Sequence, residues 1–384
     1  MWSRALDYTF APAEAAFAAP RSYGDFLEDW RRADLHLHTL HSGWRRLHLI
    51  DACDSYMTPE GAFATALARG MDFVCFTDHD SLDGALEFLS RHPEEEPRVI
   101  IGEEREVRLP ISRQWLHLAV YGLDERDHRI LGRLADDAFE TIAYLRERGL
   151  LFALNHPFQS FRSIASARRD LARLLPLVPA VEVANSSSPP SHRPAIEAML
   201  DGFTRGGGVA HARIGGSDAH TPRRVAATWT AAPGRTKQDY LDSIGRGHCV
   251  PGGEAMGLPA LVRDAYRVIA QYYRAVYAPS FSPVESRDLR NILGSIGLLP
   301  AVVLGLPVTL TSLHVLRQEW IARVGAWETM GAPETRQVQA GMDPLHAHPS
   351  AAHARRAPLH AAADQAFEDL PPDPDIESEP AANL

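Results

Sequence analysis

Between Asp34 and His220 the chain repeats one device: a short apolar run closes on a histidine or an acid, and a turn follows. Phe73-Val74-Cys75-Phe76 runs into Thr77-Asp78-His79-Asp80, Leu150 to Leu154 into Asn155-His156-Pro157, and Ala212 to Gly216 into Ser217-Asp218-Ala219-His220. Short unbroken apolar runs mark strands buried on both faces. Arg98 to Gly102 reads as a further strand ending in Glu103-Glu104, Trp115 to Tyr121 as one with His117 inside it, and Ala180 to Ala184 as one with Glu182 inside it. Strand–helix alternation predicts a mainly parallel sheet with crossover helices, about seven strands closed into a barrel. Folds of that kind keep their chemistry at the carboxyl ends of the strands.

The helices are marked by their ends. Thr58-Pro59-Glu60 supplies an N-cap, a first-turn proline and an acid at the positive end of the dipole. Asp124 to Arg148 has apolar residues near helical spacing and predicts one long amphipathic helix. Ala195 to Arg205 and Gln238 to Ile244 complete the set, with Thr228 to Thr230 as a last short strand.

Asp34-Leu35-His36-Leu37-His38-Thr39 places two histidines two residues apart in an extended run, so both imidazoles face one way. Collected by position, His36, His38, His79, Glu104, His117, His156, Asp218 and His220 all belong to one rim. Imidazoles with carboxylates suit zinc, manganese or iron. Six histidines and two acids exceed one four-coordinate ion, so two to three divalent ions are expected, with Glu104 as a bridge. His41, His48, His92 and His128 lack this placement and read as surface residues.

These motifs, with Gly102-Glu103-Glu104, resemble the PHP (polymerase and histidinol phosphatase) superfamily over about residues 33 to 250. The resemblance implies a distorted (β/α)7 barrel and phosphoester hydrolysis. It implies that His36, His38, Glu104 and Asp218 hold one ion, that Glu104, His117 and His156 hold a second, and that His79 and His220 belong to a third. The family usually carries Ser-Asp-Gly or a further histidine soon after the first pair. Here Ser42-Gly43-Trp44 stands instead, leaving His41, Asp51 or Asp54 as substitutes from the loop.

The expected chemistry is attack on a small phosphate mono- or diester by water activated between the ions. Asp78 or Asp80 would orient His79 or move a proton. Arg224, with Arg162 and Arg223, is a candidate phosphate clamp. Amide or carboxyl-ester hydrolysis and a non-catalytic metal scaffold are the alternatives. A net charge of −10 disfavours long nucleic acid as a partner. Cys53, Cys75 and Cys249 form no disulfide or metal pattern, and Met1 to Pro20 lacks a secretory pattern, so a cytoplasmic protein is expected.

Four segments are expected: an N-terminal arm over 1–32, the barrel over 33–256, a helical extension over 257–330 and a disordered Ala-, Pro- and His-rich tail over 331–384. Ile292 to Leu316 carries no charged residue but holds Pro300 and Pro307. It reads either as peripheral membrane contact or as a buried hairpin over the barrel.

Overall fold

In the computed structural model, the described residues are 29–46, 50–110, 112–159, 161, 163–283 and 287–330. Most of the expected arm, the whole expected tail, His48 and Arg162 lie outside them. The order is β1 (Trp30–Asp34), β2 (Trp44–Arg46), β3 (Asp51–Cys53), α1 (Pro59–Ala68), β4 (Phe73–Phe76), α2 (Asp83–Arg91), β5 (Val99–Arg108) and β6 (Trp115–Tyr121). Then come α3 (Glu125–Leu134), α4 (Ala138–Arg148), β7 (Leu151–Leu154), α5 (Ile164–Leu174), β8 (Ala180–Asn185), α6 (His192–Arg205), β9 (Ala212–Gly216), β10 (Thr228–Pro233), α7 (Lys237–Gly245) and β11 (Val250–Gly253). Helices α8 (Leu258–Tyr277), α9 (Leu289–Val303) and α10 (Leu306–Val324) follow.

Nine of the eleven described strands form one sheet in the order β11-β10-β1-β4-β5-β6-β7-β8-β9, curled into a nearly closed barrel, while β2 and β3 pair apart from it. The seam between β9 and β10 is sewn by side chains. Thr230 Oγ1 accepts from Gly215 N and donates to Gly215 O, both at 2.8 Å, and Thr228 Oγ1 donates to Gly216 O at 2.6 Å. The expectation of a mainly parallel sheet is corrected: β1–β4, β4–β5, β7–β8 and β8–β9 are parallel, but β5–β6, β6–β7, β1–β10 and β10–β11 are antiparallel. The β5–β6 connection is too short for a crossover, so the two strands must form a hairpin. Strand β5 also runs past Glu104 to Arg108 rather than ending there.

Thr58 caps α1 as expected, its Oγ1 accepting from Gly61 N at 3.1 Å. The single helix expected over 124–148 is two. Asp137 stops the first and caps the second by accepting from Phe139 N at 2.8 Å, a cap stronger than continued helical periodicity across Asp136-Asp137. Asp127 of α3 then ties the pair together by accepting from Tyr144 Oη at 2.6 Å and Arg148 Nε at 2.7 Å.

Small and apolar side chains fill the barrel, among them Ala33, Leu35, Cys75, Ile100, Ala119, Ala153, Ala180 and Ile214, and α7 packs Tyr240 and Ile244 into them. A second cluster joins the outer faces of β5–β8 to α3–α6 and includes Ile321 and Trp327. Trp327 is buried, stacks on Phe158 at 4.4 Å and donates to Ile321 O at 3.0 Å. The end of α10 is thereby packed beside the segment that carries His156.

Among the described residues no single helix is long and apolar enough to cross a membrane. Helices α9 and α10 pass that test only together, bent by 68° at Leu304-Gly305. They are not the buried hairpin of one sequence reading: Leu293, Ile296, Val303, Leu304, Leu310, Leu313 and Leu316 are exposed.

Candidate metal centre

His36 and His38 lie just beyond β1, in an extended segment held between two neighbours. Asp218 N donates to His36 O at 2.7 Å, His38 N to Ala219 O at 3.1 Å and Thr77 N to Leu37 O at 2.9 Å. Alternation therefore survives past the strand end, and both rings point inward while Leu35 and Leu37 are fully buried. Gly216 makes this approach feasible, since a Cβ there would stand 2.3 Å from His36 Cβ.

Glu104 sits at the middle of the constellation. Its Oε1 is 3.2 Å from His117 Nδ1 and 3.0 Å from His156 Nε2, and its Oε2 is 3.1, 3.4 and 3.2 Å from His36 Nε2, His38 Nε2 and His79 Nδ1. Asp218 Oδ1 faces His38 Nε2 at 3.3 Å, and His36 Nε2 and His220 Nδ1 at 3.6 Å. All eight residues singled out by sequence thus meet at one mouth. The antiparallel course of β6 explains His117: it lies near the start of its strand, where Asn155 N donates to His117 O at 3.0 Å, on the rim where the parallel strands end.

Among the described residues, four trios present ligand atoms within 4.8 Å of one another: His36–His38–Glu104, His36–His156–Asp218, His79–Glu104–His117 and His38–His79–His220. The donor set fits divalent cations on one observation. Buried His36 Nε2, His38 Nε2, His79 Nδ1, His117 Nδ1 and Glu104 Oε2 close no hydrogen bond with a described residue. Each such orphan costs on the order of 1–3 kcal/mol, and so many aimed at one point make sense when a cation is their partner.

The remaining atoms of these groups are fixed from behind. His36 Nδ1 meets Glu182 Oε1 at 2.9 Å and His38 Nδ1 meets Ser42 Oγ at 2.9 Å. Glu182 Oε2 accepts from His156 N at 3.0 Å and Asn185 Nδ2 at 2.9 Å, and Asn155 Nδ2 donates to Glu104 Oε1 at 2.9 Å. Glu182, Ser42 and Asn155 were not among the candidate site residues. The signal for Glu182 was available: a lone acid inside a fully buried strand requires a partner. His156 and Asp218 hold positive φ values of 25° and 53°, local strain of the kind that persists where surrounding bonds over-determine a site.

Electrostatics follow from this crowding. Burial alone would raise Glu104 and Asp218, but the imidazoles around them outweigh it and hold both carboxyls well below their ordinary values. Burial pulls His36 down, yet Glu104, Glu182 and Asp218 hold it well above its ordinary value, and Glu104 and Glu106 likewise lift His117 to about 10. His38 and His79 are lowered, by burial first. Two groups drawn to protons beside two that refuse them describe a site where cations can stand in for protons.

The candidates outside this cluster are redirected. Asp78 does not orient His79: its carboxylate accepts from Thr39 N and, at 2.8 Å, from Thr39 Oγ1, and burial pushes it up to about 7. Asp80 turns to Arg105 Nη1 at 3.0 Å and Glu106 N at 3.1 Å. Arg224 is buried away from the mouth, with Nη1 on Asp264 Oδ2 at 3.3 Å and Nη2 on Ser187 Oγ at 2.7 Å. Ser187 Oγ in turn donates to Asp218 O at 2.8 Å, so Arg224 braces a site residue from behind. Arg223 is exposed.

A family model described as the PHP domain matches residues 34–164, the stretch from His36 to His156. The chain carries a PHP domain match over that stretch, about a third of its length. Asp218 and His220 lie beyond the matched stretch and join the centre through the fold. Over 73 residues the chain is 33% identical to the uncharacterized protein MJ1587 of Methanocaldococcus jannaschii, a match covering 19% of this chain and 43% of the relative. The match thus spans less than half the length of that curated relative.

Among solved structures, the chain is similar to a two-domain protein of Bacteroides vulgatus containing a predicted PHP-like metal-dependent phosphoesterase. The identity is 17%, the TM-score 0.42, and the match covers 62% of this chain and 69% of that one. It is also similar to PsfC of Pseudomonas syringae (19%, TM-score 0.44, 63% and 99% covered) and to the lesion-specific endonuclease PfuEndoQ of Pyrococcus furiosus (14%, TM-score 0.39, 76% and 90% covered).

Proposed function

We propose that this chain is a metal-dependent hydrolase of a small phosphate mono- or diester. The observation that carries the reading is the convergence of four orphaned, buried imidazole nitrogens on Glu104, whose own Oε2 is the fifth orphan, with Asp218 facing the same rings. Glu104 shares one oxygen between His117 and His156 and the other among His36, His38 and His79, an arrangement suited to two ions. Divalent ions, zinc, manganese or iron, would lower the pKa of a water and neutralise phosphoryl charge there. The chain's own task is orientation: Glu182 steadies His36 and the His156 backbone, Ser42 steadies His38, and Asn155 steadies Glu104.

A small pocket lined in part by His156, Glu182, Asn185, Ser188, His192 and Arg193 opens beside the centre. Arg193, on the first turn of α6, is the arginine on its wall; it also donates to Glu197 Oε1 at 3.1 Å and to Pro251 O at 3.4 Å, and it is the candidate for the phosphate-binding role because Arg224 does not line the pocket. The overall charge of −10 keeps long nucleic acid out of this reading. Cytoplasmic location with peripheral membrane contact through α9–α10 belongs to the same proposal, supported by the exposed apolar side chains there.

A panel of phosphate mono- and diesters assayed with manganese, zinc and iron tests it. Phosphate release that requires metal and disappears in His36→Ala is expected. Metal-loaded protein that cleaves amides or carboxyl esters but no phosphoester overturns the reaction class. Full metal occupancy with no turnover on any ester makes the chain a scaffold instead.

A further inference from the structure

Of the four trios, His38–His79–His220 is the one without a carboxylate. The acid that faces it comes from the loop after β3. Asp54 Oδ2 lies 3.5 Å from His79 Nε2 and 3.9 Å from His220 Nε2. Both Asp54 oxygens are buried, and neither closes a hydrogen bond with a described residue. The other two loop candidates face other groups: His41 Nε2 lies 2.8 Å from Glu87 Oε2, and Asp51 Oδ1 takes Arg290 Nη2 at 2.6 Å.

The hairpin β2–β3 places eleven residues between Ser42 and Asp54 and has only three-residue strands of its own. A two-stranded ribbon of that length is not stable alone. Its support is the C-terminal helices. Asp51 N donates to Asn291 Oδ1 of α9 at 2.7 Å, and Tyr272 Oη of α8 donates to Asn291 O at 3.2 Å. Ile50, Cys53 and Tyr56 pack with Tyr272, Ala275 and Val276 of α8. Asn291 is 2% exposed, so water does not compete for its amide.

We propose that Asp54 is the acidic donor for a divalent cation at His38, His79 and His220, and that α8 and α9, through Asn291 and Tyr272, hold it in range. The C-terminal helices would then set the affinity of one metal position while leaving the positions around Glu104 and Asp218 untouched. This rests on the metal-binding reading above.

Equilibrium dialysis of the full chain against manganese, with ions per chain counted as the free concentration falls, separates the positions by affinity. In Asp54→Asn the weakest class is expected to lose at least about tenfold in affinity. Asn291→Ala and Tyr272→Phe are expected to weaken the same class by about tenfold, with the tighter ions retained. Tyr272→Phe removes a single hydroxyl, and its thermal melt reports whether the fold is intact. Wild-type binding curves in Asp54→Asn would remove Asp54 as donor. Weakening in Asp54→Asn but none in either brace variant would remove the role of the helices. A chain that binds no manganese at all would overturn this inference together with the proposed function, whereas an intact set of ions without Asp54 dependence overturns this inference alone.

Discussion

Glu182 shows how much of the centre's precision comes from side chains that face away from the cavity. With one carboxylate it meets His36 Nδ1 at 2.9 Å and the His156 backbone at 3.0 Å, fixing two ligand candidates from different strands. Glu182→Gln keeps the shape but replaces one accepting oxygen with an amide that cannot accept from the His36 ring. Metal affinity is expected to fall about 10–100-fold while the melting profile of metal-free protein stays close to wild type; competition with a chromophoric chelator measures the first and circular dichroism the second. Arg193→Ala separates binding from metal capture. Losing one charge-assisted contact to phosphate, worth roughly 1.5–3 kcal/mol, raises KM about tenfold or more, with kcat and ions per chain unchanged. Steady-state kinetics beside elemental analysis checks it, and an unchanged KM removes Arg193 from the substrate pocket.

At the residue scale, the sequence exposed what recurs and concealed what occurs once. The eight rim residues announce themselves because each closes an apolar run or alternates with apolar neighbours. Asp54 surfaces only as one of three loop substitutes, beside His41 and Asp51, since it follows a three-residue strand with no readable period. Asp78 and Asp80 flank His79 in sequence, but their carboxylates turn to Thr39 and Arg105, and nearness along the chain misjudged them.

Among the elements, α6 carries the clearest titration. His192 is its first residue, buried against the edge of the Phe158 ring at 5.5 Å, and burial pulls its imidazole down to about 3. The positive end of the helix dipole disfavours a proton there too. An unfolded histidine binds its proton near 6.5. Above that pH neither state is protonated and stability is full. As pH falls from 6.5 toward 3, the unfolded chain takes up a proton that the folded chain refuses, and stability declines by at most about 1.4 kcal/mol per pH unit. Denaturant titrations at pH 7, 6 and 5 with chelator present should therefore show a shallower decline for His192→Gln than for wild type. Parallel slopes would mean that the ring is already protonated in the fold. The elements themselves were partly legible. Thr58-Pro59 marked α1 correctly, whereas the break before Asp137 was hidden because apolar spacing continues across it. The direction of β6 has no local signature at all; it follows from the short connection after β5.

Taken whole, the molecule joins a polar metal mouth to an apolar flank through the same helices. Helix α10 reaches the site side through Arg317 Nη2, which donates to Gln159 O at 2.8 Å, three residues beyond His156. Its other face, with α9, leaves Val303 74% and Leu304 87% exposed at the bend, and residues 292–316 carry no charge to favour water. An interface with another protein would ordinarily be ringed by polar residues, but here the bend is apolar around its tip, as insertion into a lipid surface requires. Each such side chain removed from water contributes roughly 1.5–3 kcal/mol, so a few suffice for reversible attachment. Full-length protein is expected to float with phosphatidylcholine vesicles. Val303→Ser, Leu304→Ser and Leu313→Gln combined should leave it in the soluble fraction without changing ions per chain or hydrolysis of a soluble phosphoester. If wild type stays with the soluble fraction and sediments as a dimer that the triple variant dissolves, the flank serves a second copy of the chain and lipid contact is wrong.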